Sequence, residues 1–398
     1  MNTDQAEAAE APFRVLIIGA GIGGLCLAQG LKKAGIGVAV YERDSSAQFR
    51  SQGYRIHINS DGTHALHECL PGNLFDLCIA TSMPDRPGKR VTFDEQLKEI
   101  FSLPLPVKDS ADISRISTSV NRLTLREILL AGLEDSVQFN KAFEGFEHLE
   151  DRRVRARFAD SSSATGNLLI GADGTDSAVR KLVVPDARIA NVGRRICGKT
   201  PITGEPAGWA PEAFLMGWRR VEGPGGQRLM IRAFIKREPF ANATAKFAPT
   251  LDLSDTPDYL MWTLSPPSGL ALTDEEFRTA DAAALHAMAR QLTKDWHPSL
   301  KRLIEEAEID ATFSVILRAS ELVKPWQTSN VTLLGDAIHT MTPGRGEGAN
   351  TALRDAELLC HKLVEVATNG VPLLQAQVEY ETEMLRYGFE AVENSVKK

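Results

Sequence analysis

A chain of 398 residues is too long for one ordinary hydrophobic core and long enough for two or three compact units. Its 43% hydrophobic and 24% charged residues are ordinary globular usage, and 45 basic against 52 acidic residues leave a formal charge of −7 that opposes a nucleic-acid partner. Five cysteines, Cys26, Cys69, Cys78, Cys197 and Cys360, form no C-x-x-C pair, which argues against a disulfide framework, a zinc ribbon or a redox dithiol and for reduced, buried thiols in a cytoplasmic protein.

Residues 1–10 are polar and acidic, which predicts a disordered tail rather than a secretory signal. Residues 15–31 approach membrane-spanning length, but their glycines, Gln29 and the following Lys32 and Lys33 argue against a membrane helix. A βαβ unit explains them better: an apolar run at 13–18, glycines, helical spacing at 25–34, and a second apolar strand at 38–41. Both strands are too apolar for one wet face, so a buried parallel sheet is expected. Residues 54–59 alternate, placing Arg55, His57 and Asn59 on one strand face, and residues 61–70 read as a short helix stopped by Pro71 and Gly72. Ser119 is expected to cap a helix at 121–133, followed by strands at 137–140 and within 143–159. There Arg152, Arg153, Arg155 and Arg157 alternate with Val154, Ala156 and Phe158, the pattern of a half-exposed strand with a solvated basic face. From about 196 to 264 the texture shifts to strands and Pro/Gly turns, clearest at 229–236 and 259–264, which marks a second domain. Thr273 with Glu276 forms a capping-box signature ahead of a helix to about 296, and 312–318 reads as a strand. A strand at 331–334, a glycine loop, and helices near 349–367 and 372–395 close the chain.

The chemistry begins at Gly19-Ala20-Gly21-Ile22-Gly23-Gly24. Gly19 permits a tight turn, Gly21 lets a diphosphate approach the backbone, and Gly24 lets helix pack on strand, while the helix N-terminus offers unpaired N–H donors to an anion. Glu42 ends the second strand, where an acid accepts hydrogen bonds from a ribose diol. These residues imply a dinucleotide and leave NAD and FAD unseparated. No metal set is read: His57 belongs to a strand, and His64 and His67 sit at i and i+3 of a helix without a third ligand of proper spacing. No nucleophile elbow supports hydrolysis.

Residues 168–180, LLIGADGTDSAVR, and 333–355, LLGDAIHTMTPGRGEGANTALRD, follow the glycine motif in order. Together the three resemble the fingerprints of the single-component, class A flavoprotein aromatic hydroxylases. The resemblance covers most of the chain and thins between 186 and 325. It implies FAD as cofactor and NADPH or NADH as co-substrate. Asp336, after Gly335, would contact hydroxyls of the FAD chain, and an acid at a strand's carboxyl end is also where α/β sheets place ligand contacts. Pro343, Gly344, Gly346 and Gly348 would form the loop beside the flavin ring, with Ala349 and Asn350 opening a helix toward its pyrimidine edge. Arg345 and Glu347 stand where relatives carry smaller or neutral residues, and receive no role. Asp173, beside Gly171, Gly174 and Arg180, holds its loop or contacts the cofactor. Arg122 matches the family arginine that reaches the FAD chain, Arg55 lies on the strand along the flavin, and Arg43 lies against the adenosine end. His57 on that strand is the candidate for orienting or deprotonating a phenol.

The fold implied is α/β. A discontinuous Rossmann-like FAD-binding domain is expected at 11–70, 108–185 and 327–370, a substrate domain with a largely antiparallel sheet at 71–107 and 186–326, and a C-terminal helix at 371–398. The activity implied is NAD(P)H- and O2-dependent hydroxylation of an aromatic, phenolic or polycyclic small molecule through a flavin hydroperoxide, with epoxidation or Baeyer–Villiger-type oxygenation as an alternative outcome and a non-catalytic flavin-binding sensor or carrier as another class. No membrane partner is expected, and the state is a monomer or homodimer. Side chains at 215–216, 230–234 and 261–264 are the expected pocket lining, at least half of them ordinary core.

Overall fold

The computed structural model describes residues 13–48, 54–84, 88–105, 112–202, 211–267 and 269–397; the expected tail at 1–10 lies outside them. Strand β1 (Arg14–Ile18) runs at the centre of a five-stranded parallel sheet, ordered Val331–Leu333, Leu168–Gly171, β1, β2 (Gly37–Tyr41), Val137–Gln138. Val15, Leu16 and Ile17 are fully buried, which is why the run carries no polar alternation. Helix α1 (Ile22–Lys33) follows directly, starting earlier than the apolar spacing suggested because Gly21 takes the N-cap.

Strand β3 (Arg55–Ile58) leads into α2 (Ser60–Cys69), whose first N–H groups, those of Asp61 and Gly62, donate to the Asn59 side chain. The expected cap at Ser119 is corrected: Ser119 lies inside β4 (Thr118–Asn121), which pairs antiparallel with β3. Asn121 caps α3 (Arg122–Leu130) instead, its side chain accepting from the N–H groups of Leu123 and Thr124. Strand pairing claimed the serine, and the next residue able to cap took over. The expected helix at 273–296 is also corrected. The capping box of Thr273 and Glu276 is present, but it opens only Asp274–Thr279; Ala280 is extended and Asp281 caps a separate helix, Ala282–Leu292.

A seven-stranded sheet is ordered Phe313–Ser320, Ile189–Pro201, Tyr259–Ser265, Arg228–Phe234, Trp218–Glu222, Gly88–Asp94, Glu99–Leu105, antiparallel except where Trp218–Glu222 meets Gly88–Asp94. Strand period splits its side chains between two cores. Leu229, Ile231, Leu260, Trp262 and Leu264 pack with Phe277, Leu285, Leu300 and Leu303 of the flanking helices. Trp262 fits because position 198 is glycine: a Cβ there would stand 2.1 Å from the indole. Phe234 and Tyr259 project to the opposite face and join the core of the parallel sheet, with Met261 and Phe313 packed against it. The 230–234 and 261–264 stretches therefore serve both faces in alternation.

In Val154–Phe158, Val154, Ala156 and Phe158 are buried while Arg155 pairs with Glu147; Arg153, just before the strand, pairs with Asp151. The basic cluster is a solvated face as expected. All five cysteines are free and buried. Helices α4 (Gly348–Asn369) and α5 (Leu373–Val396) end the chain, and no helix among the described residues is long and apolar enough to cross a membrane.

Candidate active site

At the carboxyl end of β1 the four glycines divide their work. Gly19 has φ +107°, and a Cβ there would meet the Ala172 carbonyl oxygen at 2.4 Å. At Gly24 a Cβ would stand 2.4 Å from the Gly19 oxygen, and at Gly23, 2.6 Å from Leu334. At Gly21 it would meet nothing within 4 Å. Three glycines are thus demanded by packing, and the fourth borders open space at the first turn of α1, which has no side-chain cap. Ile22 begins that turn and is buried. An anion could enter there unhindered.

Glu42 is buried at the end of β2 and accepts from the Ala20 N–H (2.8 Å) and the Asp44 N–H (3.0 Å). Arg126 approaches it at 3.5 Å while donating to the Ala20 and Ala47 carbonyl oxygens. Arg126 escaped the sequence reading. It sits one helical turn after Arg122, the spacing that could have exposed it. Arg43 is exposed, its charge reaching Asp176.

Arg122 opens α3 with its N–H bonded to the Tyr54 carbonyl oxygen (2.9 Å), and its guanidinium charge reaches Asp336 from the other end of the chain. Asp336 follows Gly335, whose φ of +65° makes the turn into Asp336–His339. Its side chain is open to solvent, yet surrounding protein raises its pKa, opposed by the charges of His339 and Arg122. The carboxylate thus stands exposed just past the carboxyl end of Val331–Leu333, within reach of the Arg122 charge. Gly348 lies beside it, where a Cβ would be 3.9 Å from Asp336 Oδ1. Asp173 splits its oxygens: Oδ2 accepts from the Ala178 and Val179 N–H groups, and Oδ1 is buried with no hydrogen-bond partner. Arg180 is spent inside, donating to the Ala337 carbonyl oxygen.

The loop from Pro343 to Gly348 is closed from within. Asn350, buried at the start of α4, donates to the Gly346 and His57 carbonyl oxygens and accepts from the Asn59 N–H. Its amide is thus fully engaged by protein, and Gly346, with φ +72°, brings the loop against β3, a Cβ there standing 3.7 Å from that of His57. Pro343, Gly344 and Arg345 are exposed; Glu347 keeps one buried oxygen without a partner. Ala349 follows in the first turn of α4, which has no side-chain cap, leaving donors free. Arg55 is half-buried on β3, its charge reaching the Tyr259 hydroxyl, to which the Asn121 side chain donates (3.2 Å).

Behind Asp336 lies a network the sequence did not announce. Asp355, fully buried, accepts from the Gly335 N–H (2.8 Å), the Tyr387 hydroxyl (2.7 Å) and His339 Nε2 (2.7 Å). Burial alone would lower the pKa of His339, but the charge and hydrogen bond of Asp355, aided by Asp336, raise it. Held by Asp355 and within reach of the Asp336 charge, the ring fixes the turn that carries Asp336.

The seven-stranded sheet meets the start of β3 at Tyr54, whose ring packs on those of Tyr259 and Phe313. Cross-strand partners Cys197, Thr263, Met230 and Arg220 form one row on the face of Tyr259 and Phe234, and Lys199, Met261 and Arg232 form the next. Arg220 pairs with Glu222, and Lys199 with Glu308 at 2.9 Å. Arg195 Nε is buried with no hydrogen-bond partner. The face mixes sulfur-bearing side chains with threonine, lysine and arginine.

The chain matches two domain families: an FAD binding domain over residues 277–395 and an NAD(P)-binding Rossmann-like domain over residues 17–82. It is 35% identical to a crystal structure from Photorhabdus luminescens subsp. laumondii described as an FAD-containing monooxygenase, with a TM-score of 0.80 and 96% of each chain covered. A structure of Klebsiella pneumoniae HpxO complexed with FAD and uric acid is 25% identical, with a TM-score of 0.73 over 96% of this chain and 87% of that one. The dual O-methyltransferase/FAD-dependent monooxygenase of Cercospora beticola is 36% identical over 93% of this chain. The chain spans less than half the length of the first such curated relatives, 44% in that case.

Proposed function

The chain belongs to the FAD-dependent monooxygenases, and from that premise we propose that it uses NAD(P)H and O2 to hydroxylate a small aromatic molecule, phenolic or polycyclic. The observations that support the reading are open space at Gly21, where α1 begins after β1, and the Arg122 charge reaching Asp336, which follows the neighbouring parallel strand Val331–Leu333. Bound there, FAD would accept electrons from the nicotinamide and activate oxygen for transfer to the substrate.

In this reading the α1 N-terminus beside Gly19, Gly21, Ile22, Gly23 and Gly24 receives the diphosphate. Glu42 and Arg43 serve the adenosine end, and Arg122, Asp173 and Asp336 serve the chain between. Gly335, Pro343, Gly346, Gly348, Ala349 and Asn350 shape the flavin-side loop, and the free donors of the α4 first turn stabilise negative charge near the ring. Arg55 lies along it, and His57 orients or deprotonates a phenol. Met230, Met261 and Thr263 form the wall that keeps the substrate dry, with Arg220 and Arg232 favouring an acidic hydroxyl. Residues 11–70, 108–185 and 327–370 make the cofactor unit, 71–107 and 186–326 the substrate unit. Five buried, free thiols suit a cytoplasmic setting.

The test is NAD(P)H oxidation by FAD-loaded protein against a panel of phenols and polyketide aromatics under labelled oxygen. Expected is substrate-stimulated bleaching of the flavin and one labelled oxygen in the product, whose structure separates ring hydroxylation from epoxidation or ring expansion. A flavin that NAD(P)H leaves oxidised throughout, with every substrate, sinks the reading and leaves a carrier.

A further inference from the structure

Glu68 joins His64 and His67 on α2, and α4, packed beside it, brings His361 and Glu357 to the same place. At their junction His64, His67 and Glu68 offer three donor atoms within 4.8 Å of one another. His67 Nδ1 stands 3.2 Å from Glu68 Oε1, and His361 Nε2 of α4 stands 3.9 Å from Glu68 Oε2. Glu357, one turn before His361, faces His64 Nε2 at 3.4 Å. Donors on one tetrahedral zinc, at bonds of about 2.0–2.1 Å, lie roughly 3.4 Å apart, so small side-chain rotations close the set. Imidazole mixed with carboxylate is a donor chemistry of zinc-type ions rather than of calcium or magnesium.

Access and charge agree. His67 and His361 are about half exposed, at 48% and 54%, so an ion can enter from solvent. Nδ1 of His64 is buried with no hydrogen-bond partner. Two carboxylates, Glu68 and Glu357, meet here to share a dication, with the Arg115 charge reaching Glu357 and Lys33 Nζ donating to the Glu68 carbonyl oxygen.

We infer that α2 and α4 hold a divalent transition-metal ion of the zinc type through His64, His67, Glu68 and His361, with Glu357 beside His64. The ion clips together two helices whose N-terminal ends are already joined through Asn350 to the Asn59 N–H and the His57 carbonyl oxygen. It stiffens the junction of α2 with α4.

The experiment uses tag-free, FAD-loaded full chain, stripped with chelator and titrated with zinc sulfate and cobalt sulfate. Expected are one bound equivalent, a rise in melting temperature of several degrees, and a red cobalt absorption of tetrahedral type outside the flavin band. His67→Ala and His361→Ala should each weaken zinc binding at least tenfold, and His148→Ala, on a distant strand, should leave it unchanged. Absence of saturable binding overturns the inference, as does equal affinity in a His67→Ala/His361→Ala double variant.

Discussion

Gly21 and Gly24 differ in what an added methyl group would meet, and the difference separates binding from folding. At Gly24 the methyl collides with the backbone oxygen of Gly19, so Gly24→Ala should lower stability by about 1–3 kcal/mol, read as a shifted urea midpoint of the apoprotein. At Gly21 it enters open space, so Gly21→Ala should leave that midpoint unchanged and weaken FAD binding at least tenfold by fluorescence titration. Equal loss in both variants would refute a cofactor role for Gly21. By the same local logic His339 should make stability depend on pH. Its folded pKa is raised above the ordinary 6.5, so its contribution to stability is full below that value and is lost as pH rises through the raised one. Wild-type protein should therefore lose more melting temperature than His339→Gln between neutral and alkaline pH, and parallel curves would contradict the Asp355 assignment. Glu42 and Asp336 were legible as acids at strand ends. His339, Asp355 and Tyr387 were not, because their meaning lies in contacts between α5 and the 336–339 turn.

Among the elements, α5 illustrates how one position decides docking. A Cβ at Gly388 would stand 2.6 Å from His339 Cδ2. Alanine gains about 0.5–1 kcal/mol of helix propensity, but its methyl presses a ring fixed by the Asp355 hydrogen bond, at about 1–3 kcal/mol. Net destabilisation by Gly388→Ala is expected in denaturant titration, and a more stable variant would show that the helix shifts freely. The βαβ unit and the capping box were readable because local pattern and tertiary demand coincide there. Ser119 was misread since a strand partner outranks a local cap. The break at Ala280 was missed because Thr273 and Asp281 each start a helix, and the first masks the second.

The molecule as a whole keeps two cores, one under the parallel sheet and one behind the seven-stranded sheet. Trp262 is fully buried in the second. Trp262→Ala should cost about 3–5 kcal/mol in urea unfolding. The folded fraction should still bind FAD within twofold of wild type, since Trp262 projects away from the face of Tyr259 and Phe234 that joins the core of the parallel sheet. A tenfold weaker FAD titration would mean that the two cores are energetically one.

Apolar runs and glycines, being local, determined by sequence alone a buried parallel sheet, a dinucleotide turn and, through three spaced motifs, the family. Only tertiary structure decided which glycine borders open space, that Arg126 and Asp355 brace the backbone at Ala20 and Gly335, and that His361 joins His64, His67 and Glu68. Those contacts join residues far apart in the chain, and no sequence period encodes a distance across space.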